Sequence, residues 1–311
     1  MMKRLLAIGL ALCLLLGGCS APSQPPQEKQ DFCSFTDDAG RTVALAARPQ
    51  KVAVLFSSLA EIWQLAGGTV SITVGESVER GFCAASVPLV DGGAGKTVDT
   101  EALLTHAPDL VIGSADIEAH VDAAAVLQKA GIPSALLRVE SFADYLRALK
   151  LCTDLTEKQD RYETYGTALR QEIDALLEQK RADAPRILFV RSGSKASSAK
   201  AKKAEDHFAA AMLEELGCRN IAENAPILLD GLSLEEILKE DPDYIFIATM
   251  GDEAAAKAYM DGVLAQPAWQ ALSAVQRGNC RYLPKELFQY KPNARWGEAY
   301  QYLSDVLNEQ K

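Results

Sequence analysis

Histidine is scarce in this 311-residue chain: only His106, His120 and His207 occur. Three dispersed histidines do not supply the tight His-rich cage expected of a zinc or manganese carrier. A single axial ligand to haem from histidine or tyrosine stays open. Catalytic signatures are missing too. With no G-x-S-x-G and no H-E-x-x-H, the chain encodes neither a nucleophile elbow nor a zinc-hydrolase helix. Gly95-Lys96-Thr97 tempts a phosphate-loop reading, but that motif needs a glycine five residues upstream, where Val90 stands. Positive charge is in deficit, with 32 basic against 42 acidic residues and a formal net charge of −10. Such a balance makes nucleic acid a poor partner. There is no C-x-x-C among the seven cysteines. Cys33, Cys83, Cys152, Cys218 and Cys280 are left once Cys13 and Cys19 are assigned to the leader, and this odd set fixes no disulfide.

Long apolar stretches are also lacking at the start. Leu5 to Leu16 is a 12-residue run broken only by Gly9. A membrane-spanning helix needs about 20 residues. Behind Met1-Met2-Lys3-Arg4 the run reads instead as an export signal. It ends in Leu16-Gly17-Gly18-Cys19, the small-residues-then-cysteine pattern of a bacterial lipoprotein. Cleavage of residues 1–18 leaves Cys19 as a lipidated N-terminus, and each acyl CH2 buried in the bilayer contributes about 0.8 kcal/mol. Residues 19–34 are rich in proline, glutamine and serine and read as a tether. The expected location is the extracytoplasmic face of the cell membrane, held by lipid. Export also argues against ATP-dependent chemistry.

From Phe35 onward strand and helix patterns alternate. Thr36 to Val43 is a hairpin turning at Asp38-Ala39-Gly40-Arg41. Lys51 to Phe56 has the apolar character of a parallel strand buried on both faces. Further strands are expected at 71–74, 110–112, 135–137, 186–190, 244–248 and 281–283, with helices between them. Thr156-Glu157-Lys158-Gln159 reads as a capping box opening a helix of roughly 24 residues, or ~36 Å. The fold class is α/β: two similar lobes with mostly parallel sheets, joined by one long helix, with a ligand cleft between them. The boundaries are 35–139 for the first lobe, 140–183 for the connection and 184–311 for the second.

One unit occurs twice. Asp99-Thr100-Glu101-Ala102-Leu103-Leu104, ending in Pro108-Asp109-Leu110-Val111, returns as Ser233-Leu234-Glu235-Glu236-Ile237-Leu238, ending in Pro242-Asp243-Tyr244-Ile245. Each copy is a capped short helix, a Pro-Asp turn and a buried strand. Asp99 is an N-cap, and Ser233 with Glu236 forms a capping box. Glu101 and Glu235 then occupy matching places in the first helical turn. Negative charge there suits the helix dipole, which is an ordinary structural use. Both also lie at the edge of the packed face, where they are free to meet cations on a partner.

In open α/β sheets ligands collect beyond the carboxyl ends of the strands. Those places are Ser57-Ser58, Glu76 to Phe82, Gly113-Ser114, Arg191 to Ala204 and Thr249-Met250. The segment from Arg191 to Lys203 carries five cations and no acid. Arg191 and Lys195, nearest the strand end, are candidates to bind an anionic ligand. Tyr290, Arg295 and Trp296, in the polar and aromatic loop before the last helix, are candidates to line the cleft.

The hairpin, the strand after Pro49, Glu61-Ile62 behind Ser57-Ser58, Glu101 before Pro108-Asp109, the Ser233 to Ile245 copy, the lipoprotein signal and the single connecting helix together form a pattern. It resembles the substrate-binding proteins of ABC importers for ferric siderophores, haem and vitamin B12. The resemblance covers the chain from Phe35 to its end. It implies that Glu101 and Glu235 dock onto arginines of the transmembrane permease subunits, which work with an ATPase. It implies an iron complex as ligand, a ferric siderophore ahead of haem and haem ahead of cobalamin, with no resident cofactor or metal and no catalysis. The reading from another class is an exported enzyme or ligand sensor on the same scaffold.

Overall fold

The computed structural model describes residues 31–91, 97–179 and 183–309. The export signal, Cys19, most of the tether and Gly95-Lys96 lie outside the described residues. A two-stranded antiparallel hairpin opens the fold, β1 (Cys33–Thr36) on β2 (Thr42–Leu45). Asp37 locks it to the body: it is buried, and it accepts from the N–H groups of Ala39, Arg41 and Leu136 and from the Arg41 guanidinium.

The first sheet is β3 (Val52–Val54), β4 (Val70–Ile72), β5 (Leu110–Ser114) and β6 (Ser134–Leu137), in the order β4-β3-β5-β6 and wholly parallel. The second contains β7 (Arg186–Ser192), β8 (Lys200–Ala201), β9 (Arg219–Asn220), β10 (Tyr244–Thr249) and β11 (Cys280–Tyr282). Its order is β11-β10-β7-β8, with β9 also on β7; only β8 runs antiparallel. The sheets repeat one another. Val52 faces Leu110 in the first as Ile187 faces Tyr244 in the second. In each, the chain leaves the central strand to one side and returns on the other, which makes the β3/β5 and β7/β10 junctions the switch points where crevices open.

The connection differs from expectation. Thr156 ends the helix Phe142–Thr156 rather than starting one, and its hydroxyl bonds the Ala66 carbonyl at 2.6 Å. Glu157 then takes a left-handed φ of 57° and breaks the chain direction. Helical residues resume at Gln159–Tyr162, pass through a π-type turn at Glu163–Thr167 and continue over Ala168–Leu177. That is about 28 Å of helix at 1.5 Å per residue. It packs on the final helix, Trp296–Asn308, at Gly297, where any Cβ would fall 2.6 Å from the Glu172 carboxylate.

The largest hydrophobic core is shared. Trp63, Leu110 and Tyr145 of the first half belong to one buried cluster with Phe189, Phe208, Phe246 and Trp296 of the second. The two lobes are therefore joined by side-chain packing as well as by the chain.

Candidate functional site

The β3 strand runs through Leu55 and Phe56 into the helix Ser57–Leu65, which places Ser57 and Ser58 in its first turn, both buried. After β4, the short helix Gly75–Glu79 delivers Arg80 and Phe82 beside them. From the other lobe comes the loop 289–293. These three segments form one polar cluster. The Arg80 guanidinium sits 4.7 Å from the Phe82 ring centroid and 4.2 Å from that of Tyr290. Its NH1 donates to Ser57 Oγ at 2.9 Å and Ser58 Oγ at 3.3 Å. Ser57 Oγ in turn donates to the Glu76 carboxylate.

Two further contacts come from the 289–293 loop, one to the first lobe and one to the connecting segment. Asn293 Nδ2 donates to the Ser58 carbonyl at 2.9 Å and to Glu61 Oε2 at 2.8 Å. Lys291 Nζ meets Glu140 Oε2 at 2.5 Å and lies 4.8 Å from the Phe208 ring centroid. Burial pushes the Glu61 carboxyl up, while the Asn293 hydrogen bond and the Arg80 and Arg295 charges pull it down; the net direction is upward. Burial likewise lowers the Lys291 ammonium, against the pull of Glu140. A cavity of about 130 Å³ adjoins this cluster, lined by Phe56, Ser58, Leu59, Ser114, Asp116, Glu140 and Lys291 among others. It is smaller than the ~300 Å³ at which ligand pockets usually begin.

Among the sequence candidates, Ser57, Ser58 and Tyr290 meet around Arg80. Arg191, near the end of β7, and Lys195, in the β7–β8 turn, stand apart, both exposed. That turn is ordered back on itself: Ser198 Oγ donates to the Lys195 carbonyl at 2.7 Å, and the Gly193 N–H donates to the Ser198 carbonyl at 3.1 Å. Arg295 is exposed and paired with Glu298 at 2.6 Å. Trp296 does not line the cleft. It is fully buried between Phe142 (6.0 Å) and Phe208 (5.4 Å) and serves as packing at the lobe junction. Sequence patterns give Glu61 only as part of the family pattern and Arg80 only inside the span Glu76 to Phe82, and name neither as a ligand-site residue. Glu61 and Asn293 lie 232 positions apart, and only the Lys291-Pro292-Asn293 turn hinted at the second.

Glu101 and Glu235 are exposed in the first turns of the matched helices Thr100–His106 and Leu234–Glu240. Asp99 caps its helix as expected, accepting from the Ala102 N–H at 2.9 Å. The capping box at the second copy does not form: Ser233 makes no side-chain cap, and Glu236 pairs with Lys239 at 2.9 Å. His120 and His207 are structural. His120 Nδ1 accepts the Ser114 N–H at 3.0 Å, and His207 Nδ1 accepts the Ala209 N–H at 3.2 Å. Among the described residues no three His, Cys, Asp or Glu side chains gather into a metal site.

The sequence profile of the periplasmic binding proteins matches residues 52–287, which takes in both sheets and the first-lobe part of the cluster, Ser57 to Phe82. The chain belongs to the periplasmic binding protein family. Its members bind and hand on solutes outside the cytoplasm and are not enzymes. Solved structures agree in fold. An ABC transporter substrate-binding protein from Listeria monocytogenes superposes with a TM-score of 0.69 at 18% identity, over 85% of this chain and 100% of that one. Staphylococcus aureus SirA complexed with staphyloferrin B gives 0.65 at 17%, over 88% and 97%. Staphylococcus aureus IsdE complexed with heme gives 0.67 at 13%, over 83% and 99%. No curated protein sequence matches the chain significantly. Among the described residues no helix of this periplasmic binding protein is long and apolar enough to cross a membrane.

Proposed function

We propose that this chain is the lipid-anchored, extracytoplasmic solute-binding component of an ABC importer for an iron complex. Cys19 carries the lipid, residues 35–139 and 184–311 form the lobes, and residues 140–183 connect them. The ligand is held between the carboxyl ends of β3, β4 and β5 and those of β7, β10 and β11. Ser57, Ser58 and Tyr290 face that space, with Arg191 and Lys195 at its second-lobe side. Arg295 balances the Glu61 charge from the end of the same loop.

The observation that carries the reading is the matched pair Glu101 and Glu235. Each is exposed at the second position of a seven-residue helix, one in each of two lobes built to one plan. Among the described residues neither carboxylate makes a hydrogen bond or close ion pair, and a duplicated partner with one basic patch per half would meet both. Support for an iron-bearing ligand comes from the solved relatives bound to staphyloferrin B and heme. A ferric siderophore is placed ahead of haem; His120 and His207 spend Nδ1 on backbone N–H groups and are packed in the structure, which leaves Tyr290 as the axial haem ligand the cleft offers.

Trp63, Trp269 and Trp296 together supply the emission, and Trp296 lies at the lobe junction. Titration with a ferric siderophore, haemin and cobalamin is expected to quench fluorescence at the lowest concentration with the siderophore. Quenching by cobalamin alone would overturn the assignment of an iron complex.

A further inference from the structure

We propose that residues 289–296 form a strap that latches the ligand-free cleft through Lys291 and swings aside as solute enters. The inference deepens the reading of a solute-binding cleft and rests on it, without depending on which solute is carried.

The strap runs from the end of the short helix Lys285–Phe288 to the first residue of the final helix Trp296–Asn308. It reaches two other parts of the molecule. Tyr290 lies against Arg80, and Asn293 Nδ2 bonds the Ser58 carbonyl and Glu61, all in the first lobe. Lys291 Nζ pairs with Glu140 Oε2 of the connecting segment. The other acids near this lysine are committed elsewhere, Asp116 to Arg138 and Asp144 to Arg147, each at 2.7 Å. Glu140 is therefore its one ion-pair partner among the described residues. Burial disfavours the Lys291 ammonium, and Glu140 is the charge that most offsets this. Lys291 is 16% exposed and forms one wall of the cavity that Phe56, Leu59, Ile117, Leu137 and Val139 also line. Those five side chains belong to the first lobe, so withdrawal of Lys291 uncovers an apolar recess there.

The same strap is poorly satisfied. Five buried side-chain polar atoms lack a hydrogen-bond partner among the described residues, and three of them are Gln289 Oε1, Asn293 Oδ1 and Trp296 Nε1. Such groups are rare in protein interiors, because each forgoes the hydrogen bonds it makes in water. Asn293 also holds a left-handed φ of 51°. A backbone conformation of that kind persists where surrounding contacts impose it. Here those contacts are the Lys291 ion pair and the Asn293 bonds to the first lobe. Unpartnered groups concentrated in one bridging segment mark it, rather than the helices on either side, as the part that yields. A segment with two arrangements close in free energy is what a solute can bias.

The test is amide hydrogen exchange on the ligand-free protein, wild type beside Lys291→Met, Glu140→Gln and Lys291→Arg. Methionine keeps an apolar stem near Phe208, arginine keeps the ion pair, and thermal melts check that each variant folds. Lys291→Met and Glu140→Gln should each speed exchange over 289–296 by about 10-fold, with the two sheets within about twofold of wild type. Lys291→Arg should match wild type. Stopped-flow fluorescence with ferric citrate and a neutral ferric tris-hydroxamate gives the second readout. Both probes should associate about three- to tenfold faster with the two latch-breaking variants, because Lys291 acts on the strap and not on the solute. Unchanged exchange over 289–296 in both variants overturns the latch. So does slower association of citrate alone, which would make Lys291 a contact to the solute. Failure of wild type to bind either probe overturns the ferric-complex reading, while hydrogen exchange still decides the strap.

Discussion

Asp243 grips Arg186 twice: its Oδ2 accepts the Arg186 N–H at 2.9 Å, and its own N–H donates to the Arg186 carbonyl at 2.7 Å. The first lobe has the same clasp. Asp109 accepts the Lys51 N–H at 3.0 Å and the Gln50 N–H at 2.7 Å, and its N–H donates to the Lys51 carbonyl at 3.0 Å. In each copy a left-handed residue, Ala107 (φ 43°) or Asp241 (φ 39°), swings the chain from helix into turn. The repeated Pro-Asp is thus the device that starts both central strand pairs. Asp109→Ala and Asp243→Ala should each cost about 2 kcal/mol in urea unfolding, because backbone N–H groups lose a charged acceptor. The double variant should cost the sum, since the sites share no partner. Ala107→Gly should be neutral to stabilising by up to about 1 kcal/mol, as glycine relieves the left-handed strain at some entropic cost.

If the matched glutamates dock the importer, charge reversal must separate handover from binding. Glu101 and Glu235 are exposed and lie outside the Arg80 cluster. Glu101→Lys with Glu235→Lys is expected to leave the ligand dissociation constant within about twofold, since screening at that range is strong. Uptake by cells carrying the double variant should fall to background. Unchanged uptake would remove the docking role.

Much of this was legible in the sequence because it is local. The hairpin, the buried parallel strands and the Asp99 cap each follow from a few adjacent residues, and the duplicated unit declared the two-lobe plan. Three readings failed where other contacts replaced the expected ones. The Ser233 hydroxyl makes no cap, and Glu236 pairs with Lys239 one turn on in the same helix. The Thr156 hydroxyl is taken by the Ala66 carbonyl, which moves the helix boundary. Trp296 follows a polar loop, yet its ring is drawn into the junction between Phe142 and Phe208. Glu61 and the span around Arg80 were legible one by one, but their meeting with Asn293 was not, because Asn293 lies more than 200 positions away and only folding brings it to them.

Asn293 tests how the lobes are held. It is fully buried, has φ 51°, and supplies the only described hydrogen bond from the second lobe to the Ser58 carbonyl. Asn293→Gly keeps the backbone conformation and removes the side chain; a loss of about 1 to 2 kcal/mol is expected from the two lost bonds. Asn293→Ala should cost about 1 kcal/mol more, for the strain of a Cβ in the left-handed region. Asn293→Asp sets a carboxylate against Glu61 and should be the worst of the three at pH 7, recovering as acid protonates the pair. Urea unfolding at pH 7 and pH 5 gives the ranking. Glycine and aspartate behaving alike at both values would contradict the contact with Glu61.

Acid should weaken the protein through its two structural histidines, partly offset by Glu214, whose carboxyl burial and the neighbouring Glu223 push up to about 7 and which favours the folded state as pH falls. Burial pushes His120 down to about 4 from an ordinary 6.5. Burial, with the charges of Lys291, Arg191 and Lys202, pushes His207 down to about 3. A histidine depressed in the folded state contributes stability that is complete above 6.5 and is lost as pH falls toward the folded value. At pH 5 each should therefore have given up about 2 kcal/mol. Glu61 acts in the opposite sense: its raised carboxyl favours the folded state increasingly as pH drops through its own range, so it offsets part of the loss. Asp37 and Asp144, both lowered, add their losses only below the ordinary carboxylate range. Urea unfolding between pH 7.5 and 5 should show the decline in wild type. His120→Asn and His207→Asn keep an acceptor for the Ser114 and Ala209 N–H groups while removing the titration. Each should start less stable at pH 7.5, through lost ring packing, and then decline less steeply. Parallel pH profiles for wild type and both variants would show that neither histidine is held neutral by the fold.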